Sequence, residues 1–406
     1  MQPVATRINT RADRSLKAVY FAYFLGHSGV VAFTSLHLAG LGLTGREIGL
    51  LLAVGPVVGI IVQPAWSFLA DARGGVRGAL LGALTGAALL SLLIPLGKSY
   101  GALLLLLMGW AFFFNGIDPL LNSLALESLG READAFGRLR LFGSFGNAGS
   151  QLLIGVLTQI VHSAAMFLWQ ALFLLVALAN VLAITQGGSG RERALGRRGL
   201  VVMLLGSRAL LLFLPAALLL QTSQVMGWSY FALYMKAQGA GAVEAGVGLW
   251  IAVLSAFPFF LFAQPLLSRF GPHRLLLVSA SAYALRWGLL SATGSIAAIY
   301  IIQTLNGCCY ALYYVAAVAL VHKESPAPLK ATGQGLLSAV HISLATICGG
   351  LLGGLLLDWS DVFWLYRAAA GLALASMPLL IALALAESRK AASGAEGDAC
   401  GTKVLE

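Results

Sequence analysis

Charged side chains are scarce in this sequence. Asp, Glu, Lys and Arg make up 10% of its 406 residues, whereas soluble proteins carry about 25%, so an ordinary soluble enzyme is excluded. Intrinsic disorder is excluded as well, because disordered chains combine low hydrophobicity with many charges and 59% of these residues are hydrophobic. The net charge of +10 does not indicate nucleic-acid binding, since no polar domain is available to present a basic face.

Catalytic and cofactor motifs are missing too. The four cysteines show neither metal-ligand nor disulfide spacing, and the adjacent Cys308 and Cys309 are expected to pack as small core residues. No H-E-x-x-H, G-x-S-x-G or paired-carboxylate motif is present. We therefore predict no enzymatic activity, no cofactor and no metal site. No cleavage site follows the first apolar run, so we also predict no cleavable signal peptide.

The sequence is rich in apolar runs that are long enough to cross a bilayer. About 20 apolar residues span the ~30 Å hydrocarbon core as a helix, and such runs recur through the whole chain. We predict an all-α membrane protein with twelve transmembrane helices. The predicted spans are about 18–39, 46–70, 77–97, 100–127, 137–161, 163–186, 209–236, 243–268, 273–292, 295–322, 330–357 and 362–386.

The basic residues predict the orientation of these spans. With the N-terminus inside, 21 of the 26 Lys and Arg residues lie on the cytoplasmic side or in the tail, as the positive-inside rule requires. Only Arg46, Lys98 and Lys236 fall outside, and Arg286 and Arg367 fall within or at the edge of spans. We predict a multi-pass protein of the cell inner membrane with both termini in the cytoplasm.

The chain also repeats itself at about half its length. Gln63-Pro64 and Gln264-Pro265 each precede a serine by three residues, and each pair lies near the end of a span. A Gly-rich basic stretch separates the first six spans from the last six. The predicted organisation is an N-terminal six-helix half, a cytoplasmic linker, a C-terminal six-helix half and a disordered tail. Their bounds are 1–186, 187–208, 209–388 and 389–406.

Two parallel six-helix halves resemble the major facilitator superfamily, in which the substrate site lies between the halves at the bilayer midplane. The loop SFLADARGGVR after span 2 is similar to the signature loop of that superfamily, with matches at Asp71, Gly74 and Arg77. Ser67 and Ala72 depart from the pattern. The resemblance implies a gating role for the three matching residues; the alternative is a solvated turn of mixed charge.

Two arginine motifs resemble the lactose permease and phenylpropionate permease branch of the superfamily. Span 5 begins with FGRLRLFG, and span 9 contains SAYALRWGLLS. The resemblance places Arg140 at the cavity, whereas a snorkelling side chain is the alternative. Arg286 lies deep in its span, where a charge costs at least ~2.5–3.5 kcal/mol and indicates function. The alternative for Arg286 is a structural contact within the bundle.

Span 4 carries an acidic residue in the motif FNGIDPLLN. Asn115, Asp118 and Asn122 share one helical face by their spacing of three and four residues. Asp118 is predicted to carry the coupled proton or to pair with Arg140. The alternative is that its carboxylate caps a helix broken at Pro119.

The remaining candidate substrate ligands are polar and aromatic residues inside other spans. Histidine suits either proton relay or a structural hydrogen bond, and aromatic faces serve either binding or packing. The candidates are Tyr23, His27, Trp228, Asn306 and His341.

Departures from the lactose permease pattern bear on the substrate. Asn306 and Cys309 stand where that type has its proton-coupling His and Glu, so galactoside recognition is not implied. Deep arginines and few acids favour an organic or aromatic carboxylate, bound bidentately. We predict a monomeric secondary transporter that moves a small molecule by alternating access, with proton symport and without a nucleic-acid partner. A sugar or nucleoside symporter and a proton-driven exporter are the alternatives.

Overall fold

The computed structural model describes residues 10–72, 75–129, 133–184, 207–326 and 329–401. In this part of the chain twelve membrane-length helices follow one another without a strand. The helices of the first half are α1 (Thr10–Gly40), α2 (Gly45–Ala72), α3 (Val76–Leu93), α4 (Tyr100–Leu129), α5 (Ala133–Ile160) and α6 (Ala165–Leu182).

Four of the described helices in the second half contain a local break: three are divided into two pieces, and the fourth is kinked at Gly271. The helices are α7 (Arg208–Ser229 and Phe231–Ala237), α8 (Ala242–Leu261), α9 (Ala263–Ala292), α10 (Ile296–Gln303 and Leu312–Glu324), α11 (Lys330–Ser338 and Ala345–Trp359) and α12 (Val362–Gly401). In α10 and α11 the pieces are joined by the π-helical segments Gly307–Ala311 and Ala339–Leu344. A π-helical segment inserts one residue and rotates the side chains that follow it.

Eleven of the described helices are long and apolar enough to cross a membrane. The twelfth, α5, begins with the polar and glycine-rich stretch that contains Arg140 and Asn147. Large apolar side chains such as Ile61, Leu105 and Trp359 point outward with more than two thirds of their surface exposed. This is the pattern of a bundle whose outer surface contacts lipid.

Several boundaries differ from the sequence prediction; for example, α1 begins at Thr10 rather than near residue 18. Helix α9 begins at Ala263, and its chain leaves helical geometry at Gly271, where φ is +72°, within the turn predicted between spans 8 and 9. Helix α12 continues to Gly401, so the described part of the tail, predicted to be disordered, is helical. Ala, Glu, Lys and Arg are good helix formers, and extending an existing helix avoids the cost of nucleation. Residues 187–206 and 402–406 lie outside the described residues.

The same helix pairs occur in both halves. In the first half α1 packs against α5 and α6, α2 against α4, and α3 against α4 and α6. In the second half α7 packs against α11 and α12, α8 against α10, and α9 against α10 and α12. The two six-helix halves are therefore pseudo-symmetric, with α1 to α6 equivalent to α7 to α12.

The halves contact each other through two equivalent helix pairs, α2 with α11 and α5 with α8. At the end of the bundle that holds the α1–α2 turn, Asp358 Oδ1 accepts a hydrogen bond from Gly45 N at 2.6 Å. On the opposite side of the same end, Gln159 Oε1 accepts from Val243 N at 2.8 Å. We call this end of the bundle the closed end.

Candidate functional site

A cavity of about 290 Å³ lies between the two halves, close to the lower limit of about 300 Å³ for small-molecule sites. Its walls come from α1, α2, α4 and α6 of the first half and from the π-helical segment and following turn of α11. The residues that line it are uncharged. The polar ones are His27, Thr34, Gln63, Asn115, Gln170, Ser343 and Thr346.

Aromatic rings form one wall of this cavity. The rings of Trp110 and Phe114 are stacked with centroids 4.3 Å apart, and the imidazole of His27 lies 4.1 Å from Phe114. Tyr23 continues the group, with its ring 5.7 Å from Phe114. Two predicted ligands, Tyr23 and His27, thus lie on one aromatic surface, although only His27 reaches the cavity lining.

Asn115 also lines the cavity, but its amide is used structurally. Its Nδ2 donates to Gly55 O of α2 at 3.0 Å and to Ala111 O at 2.8 Å. This leaves Oδ1 as the atom that Asn115 can offer to a ligand.

The other two polar residues of that α4 face form a separate network one to two turns further along. Asn122 Nδ2 donates to Asp118 Oδ2 at 3.2 Å, and Tyr20 OH donates to Asn122 Oδ1 at 2.7 Å. Arg140 is exposed and lies within electrostatic range of Asp118 and of Tyr310 in the second half. The structure therefore brings Asp118, Asn122 and Arg140 near one another and near the second half.

Arg286 is not in the cavity wall. Only 1% of its surface is exposed, and its guanidinium is enclosed by neutral amides of α10 and α7. Nη2 donates to Gln303 Oε1 at 2.6 Å and Nη1 donates to Asn306 Oδ1 at 2.7 Å, while Gln224 Oε1 lies 3.5 Å from Nη1. Asn306 is fixed in turn because its Nδ2 donates to Ala252 O. In this conformation both predicted ligands, Arg286 and Asn306, stabilise the second half from inside.

The last two predicted ligands also contact protein groups. His341 lies in the π-helical segment of α11, with its ring 5.5 Å from Tyr313 and 6.2 Å from Tyr314. Trp228 is partly buried and packs against the apolar core cluster that extends through both halves. Neither residue lines the cavity in this conformation.

Of the predicted gating residues, Arg77 is described completely. Its Nε donates to Val181 O at 3.2 Å and its Nη2 to Leu182 O at 2.7 Å. A cation at these carbonyls caps the C-terminal end of α6, where the helix dipole is negative. Asp71 lies within α2, but its side chain is outside the described part of the structure. Gly74 lies outside the described residues altogether.

Several site residues were missed at the sequence level. Gln170 bonds to His27, and Gln303 provides the shortest hydrogen bond to Arg286. The signal was available, because each is a lone amide in an apolar run, LWQALF and YIIQTL. A buried polar group requires a partner, so such amides mark the positions where helices exchange hydrogen bonds.

Comparison with known proteins identifies the family. Residues 14–368 match the MFS_1-like family. The chain belongs to this family of the major facilitator superfamily. It is 30% identical over 340 residues to the maltose permease of Geobacillus stearothermophilus, covering 84% of this chain and 86% of the permease. It is 28% identical over 372 residues to the "Probable 3-phenylpropionic acid transporter" of Escherichia coli strain K12, covering 89% and 96%.

A solved structure shows the same fold. The crystal structure of the nucleoside transporter NupG superposes with a TM-score of 0.81 at 16% sequence identity, covering 92% of this chain and 98% of NupG. Membership of the family makes the chain a multi-pass membrane transporter for small molecules rather than an enzyme, and the likeness to NupG agrees with the two-half architecture that the sequence predicted.

Proposed function

We propose that this MFS transporter carries a neutral, hydroxyl-bearing solute such as a sugar or nucleoside, and not primarily an organic carboxylate. The observation that carries the proposal is the uncharged lining of the cavity between the halves. An anion would need a charged partner or several converging donors, and the deep arginine on which the carboxylate prediction depended is enclosed by amides.

The chemistry of the walls supports a neutral solute. Amide, hydroxyl and imidazole groups can exchange hydrogen bonds with hydroxyl groups, and the stacked rings of Trp110 and Phe114 offer a flat apolar surface to a sugar or base. The named solutes of the maltose permease and of NupG belong to this class.

An organic carboxylate is the second candidate, and one observation favours it. Arg140 is exposed, and it lies within electrostatic range of Asp118 in the first half and Tyr310 in the second. A carboxylate solute that approached through the region around Arg140 could pair with its guanidinium before reaching the cavity. The relative named for 3-phenylpropionic acid fits this candidate.

Transport is coupled to protons through Asp118 in our proposal. Its carboxylate lies within α4, and its hydrogen bond goes to the neutral amide of Asn122. Burial disfavours a charged carboxylate, whereas a nearby cation favours it. Movement of Arg140 relative to Asp118, as the halves rock, would therefore change the proton occupancy of Asp118.

We further propose that the transporter works as a monomer in the cell inner membrane, with both termini in the cytoplasm. The distribution of basic residues supports the orientation. The closed end then faces outward. Reporter fusions test the topology: a fusion in the loop at Lys98 should report the outer side, and a C-terminal fusion should report the cytoplasm. The reverse result would contradict the orientation.

Counterflow in proteoliposomes tests the substrate class. Purified protein is reconstituted with an internal excess of unlabelled maltose, uridine or 3-phenylpropionate, and entry of the same labelled solute is measured. We expect exchange of maltose or uridine. Exchange of 3-phenylpropionate alone would replace the neutral-solute proposal with the carboxylate candidate, and Arg140→Gln should then abolish that exchange.

The same vesicles test proton coupling. An inward proton gradient should drive accumulation by the wild type, whereas Asp118→Asn should lose accumulation and keep counterflow, because exchange needs no net proton movement. The matched control is Asp13→Asn, because Asp13 is an acid that forms an ion pair with Lys17 near the start of the chain. Full accumulation by Asp118→Asn would remove Asp118 from the coupling role.

A further inference from the structure

A hydrogen-bonded chain of four side chains links two residues of the cavity wall, Trp110 and His27, through the buried Ser91 and Gln170. The indole Nε1 of Trp110 donates to Ser91 Oγ at 3.1 Å. Ser91 Oγ lies 3.2 Å from Gln170 Oε1 and 2.8 Å from Ala87 O. Gln170 Nε2 lies 2.9 Å from Nδ1 of His27. Four helices, α4, α3, α6 and α1, contribute one residue each.

The orientation of the Gln170 amide sets the state of the imidazole. Indole N–H can only donate, and an amide NH₂ group is likewise a donor. With the oxygen of Gln170 directed at Ser91 and its NH₂ group at the imidazole, Nδ1 of His27 must accept. An imidazole that accepts at Nδ1 is neutral and carries its single proton on Nε2.

We propose that His27 is a specificity-determining residue of the transport site: it presents a neutral Nε2–H donor to the solute and takes no part in proton transfer. The inference deepens the proposed function and depends on it for the identity of the solute. Gln170 is the positioning residue, because its amide sets which nitrogen carries the proton.

Burial makes the arrangement stable. Gln170 and Ser91 are both completely buried, and the imidazole packs against the ring of Phe114 at 4.1 Å, with the ring of Trp110 5.9 Å away. A second proton on Nδ1 would face the NH₂ group of Gln170 and lose that hydrogen bond, at a cost that a buried polar group cannot recover from water. The titratable neighbour of the imidazole is Tyr23, on its own helix; the facing elements present the neutral Trp110, Phe114 and Gln170.

The consequence concerns the solute. A fixed donor rejects a ligand that lacks an acceptor atom at that position, because the N–H group would be left unsatisfied. The cavity therefore selects a solute with a hydroxyl, ether or carbonyl oxygen directed at His27. If His27 carried a proton during transport, the affinity for the solute would instead change with pH as the imidazole gained and lost that proton.

The tautomer is tested directly, without reference to transport. Protein labelled with nitrogen isotope at its histidines is reconstituted in nanodiscs, and the His27 signals are assigned by their loss in His27→Gln. We expect one protonated and one unprotonated ring nitrogen at neutral pH, with the proton on Nε2. A proton on Nδ1, as a flipped Gln170 amide would require, or a doubly protonated ring would overturn the proposal even if neutral solutes are transported.

Transport kinetics test the role in recognition. With labelled maltose or uridine, whichever the counterflow panel accepts, His27→Phe should raise KM roughly 10-fold, the loss of about one hydrogen bond, with a smaller change in the maximal rate. His27→Gln should recover most of the affinity, since its NH₂ group can occupy the place of Nε2–H. His162→Phe, at an exposed histidine, is the matched control. An unchanged KM in His27→Phe would remove His27 from recognition, whereas absence of all transport by the wild type would count against the proposed function alone.

Discussion

At the residue scale, Arg286 shows how a charge is kept inside a membrane helix without an acidic partner among the described residues. Such a charge costs at least ~2.5–3.5 kcal/mol at the bilayer centre. Here Gln303, Asn306 and Gln224 direct their carbonyl oxygens at the guanidinium, and the ring of Trp287 lies 4.3 Å from its central carbon. The ion–dipole contacts join α9, α10 and α7 at one point.

This arrangement predicts a stability effect. Arg286→Ala should lower the free energy of unfolding by about 1–3 kcal/mol, because hydrogen bonds to a charged group are lost and buried amide oxygens are left unpaired. Thermal unfolding of the purified protein in detergent measures the change. The control is Arg367→Ala, at an exposed arginine, which should change stability by less than about 0.5 kcal/mol. An equal loss of unfolding free energy in the two variants would mean that the hydrogen bonds between Arg286 and the surrounding amides do not stabilise the protein.

At the element scale, helix ends hold the two halves together. Asp358, at the end of α11, accepts hydrogen bonds from the first backbone N–H groups of α2, Gly45 and Arg46. Gln159, at the end of α5, accepts from Val243 at the start of α8. The two caps occupy equivalent places in the pseudo-symmetric bundle, and each satisfies N–H groups that a helix start leaves unpaired.

The cap at α2 yields a prediction. Asp358→Ala should increase hydrogen exchange at the amides of Gly45 and Arg46, since a lost cap costs about 0.5–2 kcal/mol. Hydrogen exchange with mass-spectrometric detection measures it on the whole transporter. Asp361→Ala is a matched control, because Asp361 caps α12 within its own half at Phe363 and Trp364. Faster exchange at α2 in both variants would show general loosening rather than loss of one cap.

The π-helical segments act at the same scale. One lies in α10 next to Asn306, and the other contains His341 and contributes Ile342 and Ser343 to the cavity wall. Because an inserted residue changes the phase of a helix by about 100°, the face that α11 turns toward the cavity cannot be counted from the chain start. In this conformation the neighbours of His341, Ile342 and Ser343, line the cavity instead of His341.

At the scale of the whole molecule, the closed end depends on backbones that almost touch. A Cβ atom added to Gly49 of α2 would lie 2.6 Å from Gly350 O of α11. On the other side, a Cβ at Gly155 of α5 would lie 2.6 Å from Ala242 O of α8. Small residues let membrane helices approach in this way. Alternating access requires that these contacts open, while the opposite end closes around the cavity.

Side chains at these glycines should therefore hold the closed end open. Gly49→Val and Gly155→Val should each reduce counterflow at least ~10-fold with normal amounts of folded protein, because the bundle can no longer close this end. A cysteine-reactive reagent should also reach a cysteine introduced at Leu52 faster than in the wild-type background. Gly101→Val, where a side chain meets open space, is the control. Normal counterflow in the first two variants would contradict the closure mechanism.

The sequence by itself determined the architecture. Apolar runs of about 20 residues must become helices in lipid, because no other element satisfies every backbone group within the segment. It also identified the polar residues inside the bilayer, including Asp118 and Arg286, since a buried polar group stands out against an apolar run. These features depend only on composition and spacing along the chain.

Only the tertiary structure decided which polar groups meet. His27 is held by Gln170, 143 positions away, and Arg286 by amides of two other helices rather than by an acid. Such pairings depend on how each helix is rotated about its axis and on where a π-helical segment changes the direction of the side chains that follow it. Packing against the side chains of neighbouring helices determines both the rotation and the position of the π-helical segment. The deep arginine therefore suggested an anionic solute from the sequence, whereas packing placed it behind neutral amides and left an uncharged cavity.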